Sequence, residues 1–143
     1  MSKGDPKDSE FQFIDRIRQQ FSFTGSELGI GDDCAVIPFS DSESYLITSD
    51  ALVEDVHFSL KTTSFEDLGW KALAVNLSDL AAMGGSPKYF FISIAVPKTI
   101  SPKDLNRFYD GIEDISSEFN ATLLGGDTTA SRNHLFISIT ALG

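Results

Sequence analysis

A chain of 143 residues, 41% hydrophobic and 22% charged, is the size of one domain and can bury a core of its own. Its formal net charge of −10 argues against general nucleic-acid binding, and no apolar run reaches the ~20 residues of a membrane span. The single cysteine, Cys34, rules out an internal disulfide; with no signal-like apolar stretch in Met1–Ser9, the expected location is the cytoplasm.

Residues 1–8 are polar and read as a flexible N-terminus, which leaves 9–143 as the folded domain. A first helix is expected from about Ser9 to Gln20, with Phe13, Ile14, Ile17 and Phe21 on one stripe. Ser22–Glu27 is a loop. Cys34–Phe39 and Tyr45–Ser49 read as strands around the polar turn Ser40–Ser44, and Ala51–Phe58 continues extended. The strongest helix is expected over Phe65–Met83. Ser64 suits its N-cap, Glu66 and Asp67 favour its positive end, and Gly84-Gly85 stop it.

Tyr89–Val96 is apolar on both faces and is expected as a central strand covered on both sides. Ser101-Pro102 opens a third helix, with Leu105, Phe108, Tyr109, Ile112, Ile115 and Phe119 at helical spacing. Thr122–Leu124 is a short strand, Gly125-Gly126-Asp127-Thr128-Thr129 reads as a glycine loop, and Leu135–Leu142 is the last strand. The expected fold is therefore α+β: a mixed sheet of four or more strands with two to three helices. The last strand runs to Gly143 without a tail, as in a chain cut at a domain boundary.

Five aspartates stand at the edges of apolar segments: Asp32 and Asp33 after Gly29-Ile30-Gly31, Asp50 after Leu46–Ser49, Asp79 in Asn76–Gly85, and Asp127 after Gly125-Gly126. Carboxylates so placed look like hard-cation ligands, and magnesium combines such oxygens with substrate phosphates. On the long helix Ala72, Asn76, Asp79 and Met83 share a face beside Leu73, Leu77 and Leu80. A carboxylate among leucines needs a partner, and Lys71 lies on another side; a metal ion is a simpler partner than a distant arginine. Glycine-flanked backbone N–H groups can cradle phosphates, although neither a P-loop nor a Rossmann fingerprint is present. Divalent ions would let so acidic a surface hold ATP, or the charge only keeps the protein in solution. Cys34 reads as packing and His134 as surface.

Taken together, Gly-Ile-Gly-Asp-Asp-Cys-Ala-Val, Thr-Ser-Asp-Ala-Leu-Val-Glu-Asp-Val-His-Phe, Lys-Ala-Leu-Ala-Val-Asn-Leu-Ser-Asp-Leu-Ala-Ala-Met-Gly and Gly-Gly-Asp-Thr-Thr resemble the N-terminal domain of the thiamine-monophosphate kinase family. That family sits in the superfamily of aminoimidazole ribonucleotide synthetase and selenophosphate synthetase. The resemblance runs from about Phe11 to Gly143. It implies ATP-dependent phosphorylation of thiamine phosphate to thiamine diphosphate, with ATP and several magnesium ions. It also implies a homodimer whose sheets pair into a barrel, and no membrane or nucleic-acid partner.

Residue by residue, it makes Asp33, Thr48, Ser49, Asp50, Asp79 and Asp127 metal ligands, with Asp32 and Asn76 as possible supports. Gly126, Asp127 and Tyr109 would face the nucleotide, and His57 would touch thiamine phosphate. Asp55 stands where the family often has glycine, and Thr48-Ser49-Asp50 replaces its usual Ser-Thr-Asp. The family's second domain is expected to be absent, which leaves a half-site with no activity by itself. The alternatives are another ATP-dependent enzyme of the superfamily, or a non-catalytic dimerisation or metal-binding fragment. The motif Leu52–Phe58 favours the thiamine enzyme.

Overall fold

A computed structural model describes residues 6–21, 25 and 27–143 of the chain. Helix α1 (Pro6–Gln20) opens three residues before the expected start, because proline in a first turn lacks only an N–H that has no partner there anyway. Met1–Asp5, and residues 22–24 and 26 of the expected loop, lie outside the described residues. Strands β1 (Ala35–Pro38) and β2 (Ser44–Val53) form an antiparallel hairpin, with Ala35 opposite Ile47 and Pro38 opposite Ser44. Helix α2 (Phe65–Ala82) starts on Ser64, whose hydroxyl accepts the Asp67 N–H at 3.0 Å. Strand β3 (Tyr89–Pro97), helix α3 (Pro102–Glu118), strand β4 (Thr122–Ser131) and strand β5 (Phe136–Leu142) follow. Ser101 and Asp104 cap α3 reciprocally.

The five strands form one mixed sheet in the order β1-β2-β5-β3-β4. β3 and β4 are parallel, joined by the crossover helix α3, and the other pairs are antiparallel. With three helices this is the expected α+β architecture. The core lies between one sheet face (Phe90, Ile92, Ile94, Ile137, Ile139) and the apolar sides of α2 and α3 (Leu68, Leu73, Leu80, Phe108, Ile115). The helices cross closely at two glycines. A Cβ on Gly69 would strike the Phe108 carbonyl, and one on Gly111 the Glu66 carbonyl. Arg107 pairs with Glu66 at 2.6 Å beside this crossing.

Three expectations change. β3 is covered on one face only within this chain: α2 and α3 share a side, so Tyr89 and Phe91 stay 46% and 38% exposed. The extended segment expected over Ala51–Phe58 ends at Val53. Asp55 takes a left-handed turn there at φ +62°, a conformation that short polar side chains tolerate. The glycine loop Gly125–Thr129 is instead the middle of the ten-residue β4. Gly126, at φ +154°, lies so close to β3 that a Cβ would collide with the Ile92 carbonyl. Glycine in a strand marks such a close backbone approach.

Candidate metal and phosphate site

Alternation along β2 decides which side chains can meet α2. Leu46, Thr48, Asp50 and Leu52 face the helix layer, while Tyr45, Ser49 and Ala51 face the open side of the sheet. Among the described residues the buried polar side chains are Thr48 and Asn76, and both join β2 to α2. Thr48 donates its hydroxyl to Asp79 Oδ2 at 2.8 Å. The Asp50 N–H donates to Asn76 Oδ1 at 3.3 Å, and Asn76 Nδ2 donates to the Ala72 carbonyl at 3.2 Å. Serine 49 is turned away and shares a hydrogen bond with Thr140 at 3.0 Å.

Negative charge accumulates here. Burial pushes the Asp50 carboxyl above the usual range and the neighbouring Asp79 charge adds to this, while His57 opposes it. Burial likewise raises the Cys34 thiol, with Asp79, Asp33 and Asp32 contributing in that order. Asp79 thus lies near both Asp50 and Cys34 at the β1–β2–α2 junction, and Asp32 and Asp33 lie near Cys34. Among the described residues the ion pairs are Arg107–Glu66 and His134–Asp55, so these carboxylates form none, although the Arg18 guanidinium lies beside Gly31, next to Asp32. Asp33, exposed, donates its N–H to Asp32 Oδ1 at 3.0 Å.

His57 sits in the turn after β2. Its Nδ1 accepts the Val53 N–H at 3.0 Å, and its carbonyl accepts from Lys71 Nζ at 2.6 Å. The neutral ring consequently carries its proton on Nε2, the nitrogen left free to donate.

Asp127 and Tyr109 lie elsewhere. The register puts Asp50, Ile139, Ile92 and Gly126 in one row across the sheet, with Asp127 in the next row beside Ser93. Asp127 is thus three strands from Asp50, roughly 14 Å at the usual strand spacing, and faces the open side. Tyr109, half-buried on α3, packs edge-on against Phe108 with centroids 5.3 Å apart, and burial raises its phenol.

One grouping was not legible in the chain. Ligand atoms of Glu54, Asp55 and His134 lie within 4.8 Å of one another, the one such triple among the described residues. His134 Nδ1 is 3.9 Å from Asp55 Oδ2. Glu54 also clasps Leu135: its N–H donates to the Leu135 carbonyl at 3.0 Å, and its carboxylate accepts the Leu135 N–H at 2.8 Å. The sequence hint was Asp55 itself, an acidic residue where the resemblance expects glycine.

Residues 31–143 match the family described as AIR synthase related protein, N-terminal domain. The chain belongs to that family. Among its relatives is the thiamine-monophosphate kinase of Bacillus subtilis (strain 168), 38% identical over 135 residues, covering 94% of this chain and 42% of that protein. The thiamine-monophosphate kinase of Haemophilus influenzae (strain ATCC 51907 / DSM 11121 / KW20 / Rd) is 41% identical over 136 residues, 94% of this chain and 40% of that protein. The solved structure of AaThiL complexed with AMPPCP and TMP matches with a TM-score of 0.86 at 33% identity, over 100% of this chain and 44% of that one. The chain spans about two fifths of the length of the curated relatives it matches.

Proposed function

We propose that the whole protein transfers the γ-phosphoryl group of ATP to the phosphate of thiamine phosphate, forming thiamine diphosphate. This chain carries the magnesium and phosphate half of that site. The observation that carries the reading is the match, over 100% of this chain, to AaThiL complexed with AMPPCP and TMP.

The residues present fit magnesium. Asp79 is half-buried with a hydroxyl as its hydrogen-bond partner; burial raises both Asp50 and Cys34, and the Asp79 charge adds to each. Carboxylates that form no ion pair among the described residues suit a hard divalent ion. On the resemblance Asp33, Asp50 and Asp79 would hold several ions, with Asp32 in support; their carboxylates do not gather at one point as Glu54, Asp55 and His134 do. Thr48, Ser49 and Asp127 join the reading on the resemblance. When bound, magnesium neutralises phosphate charge and aligns the attacking and leaving oxygens. The rest falls to positioning. The acceptor is already an anion, so the chain needs no strong base, and phosphoryl transfer asks little covalent chemistry of a protein. His57 donates from Nε2 to a phosphate oxygen of thiamine phosphate, while Gly126 and Tyr109 border the nucleotide.

The reading also includes a homodimer in the cytoplasm. Tyr45, Tyr89, Phe91 and Phe136 leave an apolar face open on the sheet, which a second copy covers to form the barrel. Titrating ATP into the chain by calorimetry, with and without magnesium, tests the reading. Heat that requires magnesium is expected; its absence in both arms would sink it.

A further inference from the structure

The parallel strands β3 and β4 end side by side, at Pro97 and Ser131. In open sheets, ligands bind in the crevice outside the carboxyl ends of parallel strands, where the chain turns away. A hollow of about 560 Å³ lies at this point, and its polar lining is Lys98, Thr99, Ser131, Arg132 and Asn133. The strand order brings these residues together. β5 flanks β3 on the side away from β4, so the chain leaving β4 must cross the end of β3 before it can enter β5. That crossing carries Arg132 and Asn133 past Lys98 and Thr99. After β3 the backbone turns at once, the Ile100 N–H donating to the Pro97 carbonyl at 3.1 Å.

The chemistry of the lining is that of an anion site. The chain has 11 Lys and Arg against 21 Asp and Glu, yet two cations and no carboxylate line this hollow. Among the described residues neither Lys98 nor Arg132 forms an ion pair, so both charges remain for a ligand. A guanidinium offers a planar fork that matches phosphate oxygens, and an ammonium adds a point charge. The two hydroxyls and the amide are neutral donors beside them. Pro97 and Ser131 stand five residues beyond Ile92 and Gly126, which share a row with Asp50. That is roughly 17 Å along the strands, well away from the magnesium half-site. We infer that this hollow binds the phosphate or diphosphate end of a small molecule directly through Lys98 and Arg132, without a metal ion.

The test titrates inorganic diphosphate into the chain in the presence of EDTA and follows backbone amide shifts by NMR. Saturable shifts are expected at Lys98, Thr99, Arg132 and Asn133. Lys98→Gln and Arg132→Gln should each raise the midpoint roughly 10-fold or more, since each removes a charge-assisted contact. Lys61→Gln, at an exposed lysine outside the hollow, should stay within twofold of the parent. Added sodium chloride should weaken binding as well. Two further arms, ATP and thiamine phosphate, are run equally free of metal. A midpoint below that of diphosphate identifies the arm whose phosphate the hollow prefers, and equal or weaker binding leaves the inorganic anion as its ligand. No shift at these amides in any of the three arms would overturn the inference, as would a loss in Lys61→Gln equal to that in Lys98→Gln. EDTA keeps the outcome independent of the magnesium reading, which stands or falls by its own titration.

Discussion

Thr48 on β2 donates its buried hydroxyl to Oδ2 of Asp79 on α2 at 2.8 Å, across 31 positions of the chain. The hydrogen bond uses one carboxylate oxygen and leaves Oδ1 for another partner. It also holds the Asp79 rotamer so that the charge points to the β1–β2 junction, where it adds to the burial that raises Cys34 and Asp50. Asp79→Asn keeps an oxygen for Thr48 and removes the charge. In the longer protein, thiamine diphosphate formation is expected to fall roughly 100-fold or more, with the thermal midpoint retained. Near-normal turnover would remove Asp79 from the magnesium site.

Asp50 is expected to trade stability for binding. Its folded-state pKa is raised, chiefly by burial, so the group favours the folded state below its unfolded pKa, and that contribution is lost as pH rises through the folded value. An ionised Asp50 therefore destabilises the magnesium-free protein at neutral pH. Asp50→Asn should raise the thermal midpoint at pH 7 by a few degrees, and the gain should vanish near about pH 3, where the carboxyl is protonated in both states. Melting curves across this range, without magnesium, decide the matter. A variant less stable than the parent at pH 7 contradicts the account.

Gly126→Ala is expected to destabilise the fold by about 2 kcal/mol or more, from backbone strain and overpacking combined. The added Cβ meets the Ile92 carbonyl, which cannot move without breaking the β3–β4 ladder. Gly125→Ala serves as the control, since its Cβ would meet only the Phe91 ring at 3.9 Å. Urea unfolding of the two variants measures the difference; equal midpoints would mean that β4 does not approach β3 so closely.

The open sheet face predicts self-association. Phe91→Asp places a charge at its centre and should yield a monomer without disturbing the helix-side core, because Phe91 contributes nothing to that core. Sedimentation at tens of micromolar should find the parent as a dimer. A monomeric parent would leave the exposed Tyr89, Phe91 and Phe136 unexplained.

The 143-residue chain by itself should bind magnesium and nucleotide weakly, yet form no thiamine diphosphate from ATP and thiamine phosphate. It spans 42% of the Bacillus subtilis relative, and in-line transfer requires donor and acceptor to be held together. Turnover comparable to the longer protein would show that this half suffices.

Helix ends were legible in the chain because capping is local. Ser64 and Ser101 each reach an N–H three residues on, and the capping box at Ser101–Asp104 is complete within four residues. Asp79 could likewise be singled out from helical periodicity beside Leu77 and Leu80. What lay beyond the sequence depends on contacts between distant segments. Gly125–Thr129 carries the local signature of a turn, and only the close backbone of Ile92 makes it a strand. Aspartates 50 and 127 look equivalent in sequence, but the order β2-β5-β3-β4 sets them three strands apart and on opposite faces. His134 meets Asp55 because β5 pairs with β2 rather than with β4, its nearer neighbour in sequence. Local propensity acts over a few residues, whereas strand order and facing follow from burying one common core, and that balance exists only in the assembled fold.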